Sequence, residues 1–326
     1  MYNIGMKDLI SQLKKENFFK LILGLGNCCV EDIKKISALY ALSGADMFDF
    51  TPSEEIYEAI YEGIKNCNLN PDDYFYCLSF SLGKDKHGQK AHIDEKKCVK
   101  CLKCIKKCPQ DAIFCDKEEK VVKVISKKCI GCEKCGFCSA ISFSKAETDI
   151  FETLDKLTPK YKLDCIELHV AGSNFDDIKT ILKKIKTKHP KISVSICISR
   201  ERFSDTKLLK FLNKCIKIIG KDKFIFQADG RSMSGAKDDF SSTLQAVSTA
   251  QITQELEINT ILSGGTNSKT AELAKMCSVK INGVAIGSYG RILVKEEIKN
   301  PEFWYNNEVF SSALNKTKRL VNSVKQ

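Results

Sequence analysis

The stretch Leu163–Ser199, LDCIELHVAGSNFDDIKTILKKIKTKHPKISVSICIS, decides the fold. Leu163–Gly172 reads as a strand, Phe175–Pro190 as a helix and Lys191–Ser199 as a second strand. Strand, crossover helix and strand form the unit of a parallel sheet. The same rhythm continues downstream: a helix at Ser204–Gly220, a strand at Lys223–Gly230, a helix at Phe240–Leu256, a strand at Asn259–Asn267, a helix at Ser268–Ser278 and a strand at Ile281–Gly290. A last helix is predicted over Ser311–Lys325.

Upstream the rhythm is also present. After an opening helix at Met6–Lys15 come strands at Phe18–Gly26, Ala45–Pro52 and Tyr74–Gly83. Helices at Val30–Gly44 and Ser53–Cys67 separate them, the second opened by a Ser53 cap. It then stops, resuming with a helix at Thr148–Lys162. Eight strands alternating with helices predict an α/β fold, a TIM-like (β/α)₈ barrel, and the C-x₂-C-x₂-C-x₃-C-P run at Cys98–Pro109 marks the segment inserted after strand three as a bacterial-type ferredoxin domain. Residues 1–83 and 148–326 form the barrel and C-terminal helix, and 84–147 the insert. The competing doubly wound sheet has no reason for eight units and lacks a GxGxxG after its first strand; GLGNCC (Gly24–Cys29) is a loose echo. A loop after a strand emerges at the carboxyl-end face, where barrels bind ligands, so the insert is expected beside the barrel mouth.

The insert contains nine of the chain's 17 cysteines. Cys98, Cys101, Cys104 and Cys108, followed by Pro109, give C-x₂-C-x₂-C-x₃-C-P, the run of bacterial-type ferredoxins. Cys129, Cys132, Cys135 and Cys138 nearly repeat it, one residue short before the last cysteine and with Ser139 in place of proline. Zinc takes C-x₂-C pairs, but a structural site wants four ligands in two pairs, and disulfides do not suit a reducing compartment. By ferredoxin logic one [4Fe–4S] cluster takes Cys98, Cys101, Cys104 and Cys138, and the other takes Cys129, Cys132, Cys135 and Cys108. Should Cys138 not reach, one cluster remains complete and the first becomes labile, three-iron or completed by another ligand. Cys115 is a spare thiol on a strand-like run. The eight cysteines outside the insert read as reduced small hydrophobic residues.

Nine lysines surround the run: Lys96, Lys97, Lys100, Lys103, Lys106, Lys107, Lys127, Lys128 and Lys134. Such charge favours a reduced cluster and steers acidic redox carriers, set against the plain reading that this chain uses lysine everywhere. The net charge of +11 is spread along the whole chain with acids interleaved and no nucleic-acid motif, so no nucleic-acid partner is expected. The most apolar early run, Phe18–Gly26, is too short for a membrane span and is broken by Lys20. No transmembrane anchor or signal peptide is read, and a cytoplasmic location is expected.

At the barrel mouth, SGGTN (Ser263–Asn267) and IGSYGR (Ile286–Arg291) end strands seven and eight. Gly264, Gly265, Thr266, Gly287, Ser288 and Arg291 are candidates for holding a phosphate, such as that of FMN, or are ordinary glycine turns. Asp49, Glu167, His169, Asp229 and Arg231 fall near strand ends, and QADGRSMSG (Gln227–Gly235) is a polar candidate ligand loop. They form no recognisable acid/base or nucleophile set, so no catalytic residue is assigned. The enzyme alternative is an FMN-dependent oxidoreductase fed by the clusters.

The opening segment Asn17–Ile64, the ferredoxin run after strand three and FQADGRSMSG (Phe226–Gly235) together resemble the light-dependent period A (LdpA) family of cyanobacteria. The resemblance covers nearly the whole chain. It implies an iron–sulfur, redox-responsive input to the circadian clock, acting through partners: the Kai proteins and the histidine kinases CikA and SasA. It carries cluster binding to the eight named cysteines and no catalytic residue.

Overall fold

The structure, a computed structural model, describes residues 8–23, 29–83, 89–116, 118–126, 128–129, 131–145, 149–171, 174–199, 203–230 and 238–326. Eight parallel strands close into a barrel: β1 (Phe18–Ile22), β2 (Met47–Phe50), β3 (Phe75–Gly83), β8 (Cys165–Ala171), β9 (Ser193–Ser199), β10 (Phe224–Asp229), β11 (Asn259–Ser263) and β12 (Gly283–Ile286). The circuit runs β1-β12-β11-β10-β9-β8-β3-β2 and every neighbouring pair is parallel. The TIM-like barrel read from the sequence is the observed fold, and the gap in the rhythm is an insert between β3 and β8. The insert carries β4 (Gln89–Ile93), α4 (Lys103–Lys107), β5 (Ile113–Asp116), β6 (Val121–Val124) and β7 (Ile141–Lys145).

The helices around the barrel are α2 (Val30–Leu42), α3 (Glu54–Lys65), α5 (Ile150–Leu157), α6 (Phe175–Lys188), α7 (Asp205–Ile219), α8 (Phe240–Thr253) and α9 (Thr270–Met276). Short polar side chains start most of them. Ser53, Asp149, Asn174, Ser204 and Asp239 each accept a hydrogen bond from a first-turn N–H of the helix that follows. After β12 the chain forms two short helices the sequence rhythm did not predict, α10 (Ser288–Leu293) and α11 (Lys295–Lys299). The last helix, α12 (Asn307–Lys325), begins earlier than expected because Asn306 caps it.

Successive strand residues point to opposite faces, so each strand splits into two phases. The outward phase, including Phe19, Phe48, Tyr76, Ile166, Ile196 and Phe226, joins the helices in the main apolar core. The inward phase has two storeys. At the amino ends of the strands, Phe18, Met47, Phe75, Cys165, Ile225 and Ile261 pack with Leu9, Ile10 and Leu13 of α1 (Leu9–Leu13), which stops that end of the barrel. Above them the inward residues turn polar.

Candidate iron–sulfur centres and the barrel interior

In the insert, β4 pairs antiparallel with β7 from Gln89↔Lys145 to Ile93↔Ile141, and β5 pairs antiparallel with β6. Ala91, Ala112, Ile113 and Val122 form a small core that includes Cys104, Cys129 and Cys135. Two cavities flank it. Cys108, Cys129, Cys132 and Cys135 line one; Cys98, Cys101, Cys104 and Cys138 line the other. Each run therefore sends its fourth cysteine across to the other's cavity, and Cys138 lies with the first triplet despite its short spacing. Cys115 lines neither wall and its thiol faces the Asp116 carbonyl at 3.8 Å.

The backbone repeats along with the cysteines. Lys100 and Leu102 have φ of 55° and 59°, and Gly131 and Glu133, at the same offsets in the second run, have 66° and 59°. Left-handed backbone is unfavourable for side-chain-bearing residues, so its recurrence marks a conformation each loop needs to turn its thiols inward. Donors face the sulfurs of the cavity lined by Cys108, Cys129, Cys132 and Cys135: the Ala91 amide lies 3.3 Å from Cys129 Sγ and the Ala112 amide 3.3 Å from Cys108 Sγ. Burial pushes the Cys135 thiol up to about 11, reinforced by Cys129, Cys132 and Cys108. Four crowded thiols in each cavity, with N–H groups aimed at sulfur, are a donor set suited to a cationic iron–sulfur centre.

Around these cavities Lys96, Lys97, Lys100, Lys103, Lys106, Lys107, Lys128 and Lys134 are exposed; Lys127 lies outside the described residues. Val99 and Phe137, lining the first cavity, are 80% and 56% exposed.

The upper storey of the barrel interior is a buried ionic network. Lys20 on β1 is 1% exposed, and its Nζ lies 2.7 Å from Asp49 Oδ2, 2.5 Å from Glu167 Oε2 and 2.8 Å from Gln227 Oε1. Glu167 also accepts from Ser195 Oγ at 2.9 Å and Gln227 Nε2 at 2.7 Å, and His169 Nε2 lies 3.0 Å from its Oε1. Ser79 donates to Asp49. Burial alone would pull the Lys20 ammonium down, but Asp49, Cys77 and Glu167 hold it well above its ordinary value. Burial likewise opposes the charge on Glu167, yet Lys20 and His169 outweigh it and hold the carboxyl down at about 2. Asp49 is raised, by burial and by the neighbouring Glu167.

A family model for the light dependent period A C-terminal domain matches residues 157–325, more than half of the chain. The chain belongs to the light dependent period A family. A second family model, a 4Fe-4S binding domain, matches residues 91–114, and the chain is an iron–sulfur protein. Light dependent period A of Synechococcus elongatus is 24% identical over 306 residues, covering 88% of this chain and 84% of the relative. Among solved structures, the YdjI aldolase from Escherichia coli K12 aligns over 98% of this chain and 92% of its own, at 9% identity and a TM-score of 0.47. A ligand-free tryptophan synthase from M. tuberculosis aligns over 98% and 100%, at 9% identity and a TM-score of 0.49.

In this family member the two glycine loops of the rim follow neighbouring strands, β11 and β12. Gly264 and Gly265 are left-handed, with φ of 71° and 78°. A Cβ on Gly264 would run into the Asp229 carboxylate and lie 2.7 Å from the Gly230 amide, so this close approach needs glycine. Thr266 spends its hydroxyl on the Ala285 carbonyl at 2.6 Å. Arg291 donates to the Ile22 carbonyl at 2.5 Å and to Ser288 Oγ at 3.2 Å. Gly287 precedes α10 without a side-chain cap. Arg231 and the run to Gly235 lie outside the described residues. Of the polar residues read near strand ends, the structure joins Asp49, Glu167 and His169 in one network. Gln227, the first residue of the candidate ligand loop, joins it, as do Lys20 and Ser195, which were not singled out as site residues. Among the described residues no helix is long and apolar enough to cross a membrane.

Proposed function

We propose that the chain is an electron-exchanging iron–sulfur protein that passes light-driven redox state to a circadian timing system through protein partners. Two [4Fe–4S] clusters carry the electrons, one on Cys98, Cys101, Cys104 and Cys138 and one on Cys108, Cys129, Cys132 and Cys135. The single observation that carries this reading is the division of eight thiols into two four-cysteine cavities with Cys108 and Cys138 exchanged. The timing role rests on family membership and on the name of the Synechococcus relative. The partners are redox carriers on one side and clock proteins of the Kai, CikA and SasA kind on the other, in the cytoplasm. The exposed lysines around the first cavity suit an acidic carrier.

The test is the visible spectrum and iron content of anaerobically purified protein, before and after dithionite. A broad brown absorption that bleaches, with about eight iron atoms per chain, is expected. Clusters that stay in one redox state across cellular potentials would refute the sensor role and leave them as staples for the insert. A second reading, an FMN-dependent oxidoreductase, is favoured by the adjacency of the Gly264–Gly265 and Gly287–Arg291 loops on one rim. Structured flavin peaks beneath the brown band would move it to first place.

A further inference from the structure

The polar interior of the barrel is not used by the redox reading, and the fold does not require it. Barrel interiors are ordinarily filled by branched apolar side chains, and removing charges from water is unfavourable unless they do something. Glu167 and His169 are two apart on β8 and both face inward; Cys197 on β9 is the register partner of His169. A carboxylate oxygen of Glu167, a ring nitrogen of His169 and Cys197 Sγ converge within 4.8 Å of one another. We propose that these three atoms bind a single zinc ion in the barrel, a metal site separate from the iron–sulfur centres.

The two oxygens of Glu167 have different surroundings. Oε2 is anchored by Lys20 at 2.5 Å and Ser195 at 2.9 Å. Oε1 lies 3.0 Å from His169 Nε2 and accepts a hydrogen bond from Gln227 Nε2 at 2.7 Å, and that Nε2 also lies 3.6 Å from Cys197 Sγ. Hydrogen bonds of this kind to the carboxylate and the thiol are how proteins orient ligating side chains toward an ion. A second trio, Asp49, Cys77 and Glu167, also converges, but the Lys20 ammonium already occupies the cation's position there, 2.7 Å from Asp49. The upper trio offers what that one cannot: an imidazole and a thiol with a carboxylate, one nitrogen, one sulfur and one oxygen, the donor types zinc takes. Ligand atoms about 2.0–2.3 Å from a shared zinc ion stand roughly 3–4 Å apart, which the Glu167–His169 separation already satisfies.

Charge balance agrees. Lys20 neutralises Asp49, leaving the Glu167 carboxylate and, once metallated, the Cys197 thiolate to match a dication, with His169 neutral. Exposure rises from Glu167 (0%) through Cys197 (3%) to the His169 side chain (24%), so the fourth coordination position faces the carboxyl-end mouth. Water or a small oxygen-donor ligand fills that position, as in zinc sites that act as Lewis acids.

The test uses the full chain, purified anaerobically without chelator and dialysed against micromolar zinc. Elemental analysis is expected to give about one zinc per chain in addition to iron. Zinc K-edge X-ray absorption is expected to show one sulfur near 2.3 Å with nitrogen and oxygen near 2.0 Å. Cys197→Ser should lower zinc at least tenfold and leave iron unchanged, whereas Cys132→Ser should lower iron and leave zinc unchanged. Zinc below a tenth of an equivalent overturns the proposal, as does a four-sulfur shell, which would place zinc in the cassette. The absorption measurement needs no variant, so a misfolded Cys197→Ser protein does not remove the test. Loss of iron with zinc intact would sink the redox reading and leave this one standing.

Discussion

Replacing Lys20 with methionine keeps most of the side chain's bulk and removes its ammonium from the centre of the barrel. Glu167 would still have Gln227, Ser195 and His169, so it stays ionised. Asp49 would keep only Ser79 among its named partners, at 1% exposure. Its least unfavourable response is to take up a proton. A free aspartate titrates near about 3.9, so neutralising Asp49 costs at most about 4 kcal/mol at pH 7 and about 1.5 kcal/mol at pH 5, at about 1.36 kcal/mol per pH unit. The sign follows from a raised folded-state value: the unfolded carboxylate is increasingly favoured as pH rises above its own pKa, so the penalty grows with pH. Breaking a buried pair typically costs about 3–5 kcal/mol, the same range. With unfolding entropy near about 2.1 cal/mol/K per residue, a chain of this length loses about 1.5 °C per kcal/mol. Lys20→Met should therefore lower the thermal midpoint, followed by far-UV circular dichroism, by up to about 6 °C at pH 7 and about 2 °C at pH 5. Adding Asp49→Asn should restore most of the pH 7 loss. A shift below 1 °C, or one equal at the two pH values, would refute the assignment of Lys20 as the counter-ion of Asp49.

Cys138→Ser and Cys108→Ser should each remove the cluster of a different cavity, roughly halving the iron content, and the double variant should lose nearly all of it; one variant losing everything would mean a single centre. Gly264→Ala should destabilise by about 1–3 kcal/mol, read as a lowered denaturation midpoint, because its φ of 71° and the Asp229 contact both oppose a side chain. Phe137→Ala, at an exposed position, should stay within about 0.5 kcal/mol of the parent by the same measurement. Burial holds the His189 imidazole below its usual value, against Asp155, so the stability it supports is lost as pH falls below the unfolded value near about 6.5. His189→Gln should flatten the fall in thermal midpoint between pH 7.5 and 5.5.

The barrel was legible because its strands carry unbroken apolar phases that pack on helices, as in Phe224–Asp229 and Gly283–Ile286. The cassette's cysteines were legible by spacing, but of its strands only the run around Cys115 was. Val121–Val124 and Ile113–Asp116 are short, half-buried and held by a small core that mixes apolar residues with cysteines rather than by apolar periodicity. The interior network was half legible. Lys20 reads as an interruption of an apolar run, and Cys197 as a small hydrophobe. A usable signal was present in SVSICIS and CIELHVA, where polar residues and cysteines alternate with Val, Ile and Leu. In a barrel wrapped by helices the apolar phase faces out, so the polar phase, Ser195 and Cys197, Glu167 and His169, must share the interior. The meeting of β8 with β1 and β10 side chains depends on barrel closure, which no local pattern encodes.

The β4–β7 ribbon bears on how the chain finds this fold. The strands on either side of the insert, β3 and β8, are immediate neighbours in the barrel, yet the whole cassette lies between them. Closing such a long connection adds a modest entropy cost, about 0.6 kcal/mol per doubling of its length, and slows the pairing. Gln89↔Lys145 pairing draws the two ends of the cassette together as soon as the ribbon zips. From then on β3 and β8 search for each other across little more than α5, as if the connection were an ordinary crossover, and the cassette acts as a hairpin that shortens the path to closure.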